Sequence, residues 1–339
     1  MLTILILGMV FGAILQYARL NTFNTISGLA TLDNFSVIKA ISLAIGVGIM
    51  LLNIEIAFGF ASFHVKPFFV GGLVAGGLIF GSGMAILGYC PGTLAISLGE
   101  GSIDAFVGIG GALLGGLAYT LALPVIEPFL GPDLGKVSLS SVLGPTTEYY
   151  VMSSIAAIAF VAASFWLQKI DKFKGKKWIV AGIALAILNT LVFSSALTDR
   201  PIGASTFFPF VADTLTGLTD NAYFAKIEKS GNWQLIFLGG AFFSAFLISL
   251  IREEFQFVLI HENWKKYKGD SKLKRIVWAL IGGFILIFGA RLAGGCTSGH
   301  ILSGGMQLAY SSLFFAVFTF AGLLLTGKFF YRTSALRQK

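Results

Sequence analysis

Carboxylates, histidines and cysteines are all scarce in this chain. Asp and Glu together number 16, His 3 and Cys 2 in 339 residues. So thin a set leaves little for a metal centre, which takes three or four Cys, His or carboxylate ligands. Two cysteines cannot form a disulfide framework. No Walker, dinucleotide-binding or nucleophile-elbow motif is convincing, so nothing points to ATP hydrolysis or triad chemistry. No cofactor is expected. Charge is also low: 12% of residues are charged against 56% hydrophobic, and the mean hydropathy is +0.84. Apolar runs of about 18 residues or more mark membrane spans. The 42 glycines suit helices that pack closely in lipid. The chain reads as an all-α polytopic membrane protein whose first partner is the lipid bilayer.

The first residues lack a basic n-region and an A-x-A-like cleavage site, so they read as a retained span rather than a signal peptide. The formal charge of +8 does not indicate nucleic-acid binding, because its distribution is wrong. Of 24 Lys and Arg residues, 16 lie at 169–177, 252–275 and 328–339, all flanking apolar segments. Such stretches mark cytoplasmic loops. About nine spans are predicted, at 2–18, 36–61, 67–87, 103–124, 149–168, 177–197, 233–251, 276–293 and 306–328. The loops at 126–148 and 198–232 have few basic residues and suit the external side. With nine spans, all three basic stretches fall inside; the C-terminus is then cytoplasmic and the N-terminus external.

The two cysteines, Cys90 and Cys296, lie at matching places in an internal repeat. Gly83 and Gly88 align without a gap to Gly289 and Gly294, and cysteine aligns to cysteine. Residues 1–148 form a first repeat of four spans, 149–176 a connector span with a basic loop, and 177–339 a second repeat. An odd connector inverts the second repeat, a common transporter plan with the site near the midplane. The short polar segments after each cysteine cannot span. They read as re-entrant turns followed by half-helices, tolerated at membrane depth only when buried or lining a wet cavity. The half-helix N-termini would favour an anion. Parity puts the Cys90 turn on the cytoplasmic side and the Cys296 turn on the external side. Inverted placement makes a disulfide between them a poor candidate.

Around Cys296, Gly294, Gly295 and Gly299 permit a sharp turn and a close ligand approach. Thr297, Ser298 and His300 add donors. Arg291 closes the preceding apolar segment and is expected to face a cavity or partner, the bland alternative being a snorkelling side chain. A metal held by Cys296, His300 and Cys90 is disfavoured, since no carboxylate flanks them. Cys90 alone would read as a small buried hydrophobe; the repeat match raises its interest, and Pro91 suits the first turn of a half-helix. Glu55 is the one carboxylate read as deep within a span, a coupling group or a helix-to-helix bond. The Gly-x-x-x-Gly pairs 8/12, 72/76, 77/81 and 111/115 read as packing faces.

The segment Phe288-Gly289-Ala290-Arg291-Leu292-Ala293-Gly294-Gly295-Cys296-Thr297-Ser298-Gly299-His300, followed by Leu302-Ser303-Gly304, resembles the signature of YeeE/YedE sulfur-transport membrane proteins. Gly88-Tyr89-Cys90-Pro91-Gly92-Thr93 resembles that family's first-half Gly-x-Cys-Pro motif, and Arg200-Pro201-Ile202-Gly203 its second-half Pro-aromatic-Gly turn. The resemblance implies an hourglass fold in the inner membrane and uptake of thiosulfate or a related sulfur anion. It also implies that Cys296 and Cys90 are external and internal relay thiols. A cysteine common in the family just after span one is replaced here by Asn21, which can donate hydrogen bonds but offers no thiol chemistry. The substitution leaves open another sulfur or selenium species. A thiolate would repel an anion, so both cysteines are expected to be protonated during transport. The competing readings are a membrane thiol protein that passes sulfane sulfur to a small cytosolic carrier, and a cation channel.

Overall fold

The computed structural model describes residues 1–332, so the end of the third basic stretch lies outside the described residues. It is helical. The chain begins with α1 (Leu2–Tyr17), the short α2 (Phe23–Ala30), α3 (Ser36–Ala57), α4 (Val70–Leu87), the short α5 (Pro91–Gly99) and α6 (Ile103–Ile126). A single-turn α7 (Leu139–Leu143) and the peripheral α8 (Thr147–Ile170) follow. The rest is α9 (Lys177–Phe193), the short α10 (Phe207–Thr216), α11 (Ala222–Ile251), α12 (Glu262–Lys268), α13 (Lys272–Leu292), a π-helical turn at Thr297–Leu302, α14 (Ser303–Met306) and α15 (Tyr310–Phe330).

Seven described helical segments are long and apolar enough to cross a membrane. Each of the nine expected spans falls on a helix, but α1 and α9 have only 16 and 17 residues. At 1.5 Å per residue they reach about 25 Å, short of a hydrocarbon core of about 30 Å. The segment 198–232, read as a loop, contains α10 and the start of α11. Lys226, Glu228 and Lys229 depress its hydropathy, yet the Asn221 side chain accepts from Phe224 N at 2.8 Å and starts the helix there.

Small residues bring the helices together. A Cβ on Gly111 or Gly115 would strike the carbonyls of Leu280 and Phe284 in α13, and one on Gly72 would lie 2.6 Å from Leu292 O. Gly76 meets Gly289 and Ala293, Gly77 and Gly81 meet α15, and Gly8 and Gly12 meet α11. All four Gly-x-x-x-Gly pairs are therefore backbone-to-backbone contacts between helices.

Loops gather at two ends. At one end, Arg19 pairs with Glu254, Lys172 with Asp33, and Ile103 N donates to Val258 O. The basic stretches 169–177 and 252–275 lie together at this end. At the other end, His64 meets Asp199, Ser195 N donates to Phe60 O, and Tyr310 N donates to Val137 O.

Two fully buried ion pairs stitch the first end. Arg275 donates to Asp104 at 2.6 Å and 3.1 Å, and also to Leu87 O at 2.7 Å, where α4 stops. Tyr89 and His261 add bonds to the same carboxylate at 3.2 Å and 3.1 Å. Lys39 donates to Asp171 at 2.5 Å and to Gln168 at 2.7 Å, tying α3 to the end of α8. Removing one member of such a pair strands a charge where water cannot reach it. Arg275→Leu is expected to destabilise the detergent-solubilised protein by about 3 kcal/mol. A thermal unfolding midpoint unchanged from the parent would contradict this.

Candidate functional site

Each cysteine is the N-cap of a short helical segment that begins inside the bundle. Cys90 precedes Pro91, which opens α5, and Cys296 precedes the π-helical turn. Gly88 lets the first break turn sharply: it adopts φ 80°, and a side chain there would run into the Phe23 ring. Thr93 completes a capping box. Its Oγ1 accepts from Cys90 N at 2.8 Å and lies 3.4 Å from the sulfur. Backbone amides of Gly92 and Thr93 face the Cys90 sulfur; those of Gly299 and Ala204 face the Cys296 sulfur. Both thiols thus sit among amides of the kind that favour an anion. Neither forms a disulfide.

Ala204 links the two breaks. A Cβ on Gly92, two residues after Cys90, would lie 3.6 Å from the Ala204 Cβ. Thr297 Oγ1 is 3.8 Å from the sulfur of Met84, one turn before the end of α4. Ser298 Oγ is 3.3 Å from Cys296 Sγ. The two cysteine segments and the 200–206 turn therefore converge in the interior. Gly203 lies in this turn, and a Cβ there would be 2.7 Å from Gln234 Nε2.

A cavity of about 630 Å³ opens beside the Cys296 turn at the end away from the basic loops. Arg291, Lys66 and Lys226 line it with Tyr119, Tyr223 and a single carboxylate, Glu127. Arg291 is buried. Its Nε donates to Tyr223 Oη at 2.9 Å and its Nη1 to Thr206 Oγ1 at 3.0 Å. Lys66 was not singled out by sequence, because it sits in a non-helical stretch between α3 and α4. Its Nζ donates to Gly294 O at 2.5 Å and reaches over Gly295. Burial, reinforced by Arg291 and Arg200 and opposed by Cys296, pulls the ammonium below its usual range, to about 8. No signal in sequence separates Lys66 from a snorkelling lysine.

The remaining expected residues sit elsewhere. His300 is fully buried, with Nδ1 3.1 Å from Ser312 Oγ and Nε2 2.9 Å from Ala293 O. Both ring nitrogens are occupied in holding the turn, so it presents no donor to the cavity. Glu55 lies in the last turn of α3 rather than deep within it, with Oε2 lacking a partner among the described residues. Asn21 is fully buried near the opposite end, donating to Glu100 at 2.7 Å and Ser97 at 3.3 Å. No group of three or more His, Cys, Asp or Glu residues able to hold a metal occurs among the described residues.

Residues 17–325, which contain both cysteine segments, match the sulphur transport family, YeeE/YedE. The chain belongs to that family. It is also similar to the thiosulfate transporter TsuA of Spirochaeta thermophila, with 26% identity over 337 residues, covering 94% of this chain and 95% of that relative. Family membership makes the chain a transporter of the sulphur-transport type and not an enzyme.

The cationic cavity generates a test. Hydrogen bonds to charged groups contribute about 1.5–3 kcal/mol, so Lys66→Met should raise the KM for anion uptake by roughly tenfold or more. If the ammonium captures the anion, transport by the parent should fall as the pH on the side of this cavity rises through about 8. Lys66→Met should lack that alkaline limb. Identical pH profiles for parent and variant would rule the assignment out.

Proposed function

We propose that this protein is an inner-membrane permease for thiosulfate or a closely related sulfur anion. The observation that carries the reading is the convergence of two N-cap thiols, each faced by two backbone amides, with a cavity lined by Lys66, Lys226 and Arg291 beside the Cys296 turn. The name of the TsuA relative supports thiosulfate as the substrate.

On this reading the two halves, 1–148 and 177–339, are inverted repeats joined by the 149–176 connector, giving nine crossings. The element order supports this. On each side of α8 a long helix is followed by a short one, two long ones, a second short piece and a long one, with the short α12 interposed between the two long ones of the second half. The shared end of the basic loops is cytoplasmic by the positive-inside rule, with the C-terminus inside and the N-terminus outside. The cationic cavity then faces outward and concentrates anions. The ion descends past Arg291 and Lys66 to Cys296, then to Cys90, and leaves beside Asn21. At each stop neutral S–H, O–H and N–H donors replace water, which a dianion requires on entering a low-dielectric interior. Several weak sites in series allow release as well as binding. The basic loops at 169–177 and 252–275 offer a surface that a small cytosolic sulfur carrier would meet.

Uptake opposes the membrane potential. Moving one elementary charge against 100 mV costs about 2.3 kcal/mol, so a dianion costs about twice that. Inward flux therefore needs a steep gradient or a coupled cation.

Expression in cells that lack thiosulfate uptake should restore growth on thiosulfate, and Cys296→Ala or Cys90→Ala should abolish it. Undiminished growth with both variants would defeat the relay. Mass spectrometry after substrate exposure should find both cysteines unmodified; a persulfide on Cys90 would favour sulfane-sulfur transfer instead.

A further inference from the structure

At the basic-loop end a second cavity, of about 340 Å³, leads toward Asn21. Its charge is opposite to that of the first. Glu100, Glu253 and Glu254 line it, against Arg19 and His261. Arg19 is already engaged with Glu254 at 3.3 Å. An anion leaving past Asn21 meets a carboxylate: Glu100 accepts from Asn21 Nδ2 at 2.7 Å. Ser97 closes the same spot by donating to Asn21 O at 2.8 Å.

The two amide side chains that donate to this carboxylate, Asn21 and Gln16, carry unpaired oxygens. Asn21 Oδ1 and Gln16 Oε1 are buried without a partner among the described residues, and their side chains are 0% and 4% exposed. Buried polar atoms are rarely left unpaired. Protonation would turn this carboxyl from an acceptor into a donor, in a buried site with two acceptors unpaired among the described residues.

We propose that Glu100 is the proton-carrying group of the transport cycle, taking up a proton as the anion arrives and releasing it to cytoplasmic water as the anion leaves. This inference rests on the permease reading above. With Glu100 ionised, its charge repels the anion and its oxygen holds the Asn21 amide, so the inner mouth is shut. A proton arriving from the external side with the anion converts the carboxylate to the neutral acid. The repulsion disappears, and the Asn21 N–H becomes available to the anion. The proton then leaves through the acidic cavity, restoring the carboxylate, with one proton moved inward per turnover. Burial of Glu100 raises its carboxyl above the usual carboxylate range, against the lowering pull of Asn21, Gln16 and Arg19, while Glu254 raises it further. Glu253 and His261 are the other titratable groups on this cavity. Glu55, the carboxylate singled out from sequence, lies outside this route in the last turn of α3.

The experiment uses the full chain in liposomes, with radiolabelled thiosulfate outside and a pH-sensitive dye inside. The parent should take up label and acidify the lumen in a thiosulfate-dependent manner. Glu100→Gln should lose the acidification and the stimulation of uptake by an inward pH gradient, while label still moves down its own gradient. Glu100→Asp, which keeps a titratable carboxyl, should retain proton movement and guards against a folding defect in the glutamine variant. Thiosulfate uptake by the parent without acidification, or driven by a sodium gradient instead, would overturn the role of Glu100 and leave the permease intact. Acidification that persists in Glu100→Gln would also overturn it. No uptake of label by the parent would remove the permease reading itself.

Discussion

Stopping a helix inside an apolar bundle exposes backbone N–H and C=O groups, and each must find a partner there. The architecture follows from that constraint. At the end of α4, Arg275 reaches from α13 to the Leu87 carbonyl and is itself neutralised by Asp104. At the start of α5, Thr93 closes a box with Cys90. At the α9–α10 break, Gln234 Oε1 accepts from Thr206 N and Phe207 N, and Asn189 Oδ1 accepts from Ile202 N. At the end of α13, His300 and Lys66 hold the carbonyls of Ala293 and Gly294. Buried polar side chains from distant helices thus serve each break, and backbone amides beside the two thiols face the sulfur atoms.

This arrangement separates polar residues committed to the breaks from those proposed to line the path. His300, Asn189, Gln234 and Arg275 have polar atoms committed to backbone or to neighbouring side chains such as Ser312, Ser303 and Asp104. Cys90, Cys296, Ser298 and Thr297 carry weak or adaptable donors, suited to an ion that must move on. Arg291 and Lys66 stand between the two groups: each is anchored by hydrogen bonds and still borders open space. The two cavities add polarity of charge. One is rich in cations and the other in carboxylates, so on the proposed reading an anion is drawn in at one end and opposed at the other.

Close packing makes the breaks tolerable. Helices α4, α6, α13 and α15 approach through glycine, which removes side chains from the seam and leaves backbone against backbone. Gly295 extends the same device to the site. A Cβ there would strike Lys66 Nζ and lie 2.7 Å from His300 Cδ2, so no other residue leaves room for both.

Much was legible in the linear chain because it depends on local composition. Apolar runs located a helix under every expected span, the gap-free cysteine repeat located both internal breaks, and the Gly-x-x-x-Gly pairs located the packing seams. Basic clustering placed residues 169–177 and 252–275 at one end. The misjudged parts were those set by long-range partners. Lys66 and Gly294 are 228 residues apart, and only folding puts that ammonium on the cysteine turn. His300 looked like a donor to a ligand, but Ser312 and the Ala293 carbonyl claim both of its nitrogens. The start of α11 looked like a loop because its lysines face a cavity that hydropathy cannot register. Sequence by itself determined where the long apolar helices lie and where the two cysteine breaks fall, since both follow from transfer free energy and local conformational freedom. Only the tertiary structure decided which polar groups satisfy the breaks and which stay free, because that depends on what packs opposite them.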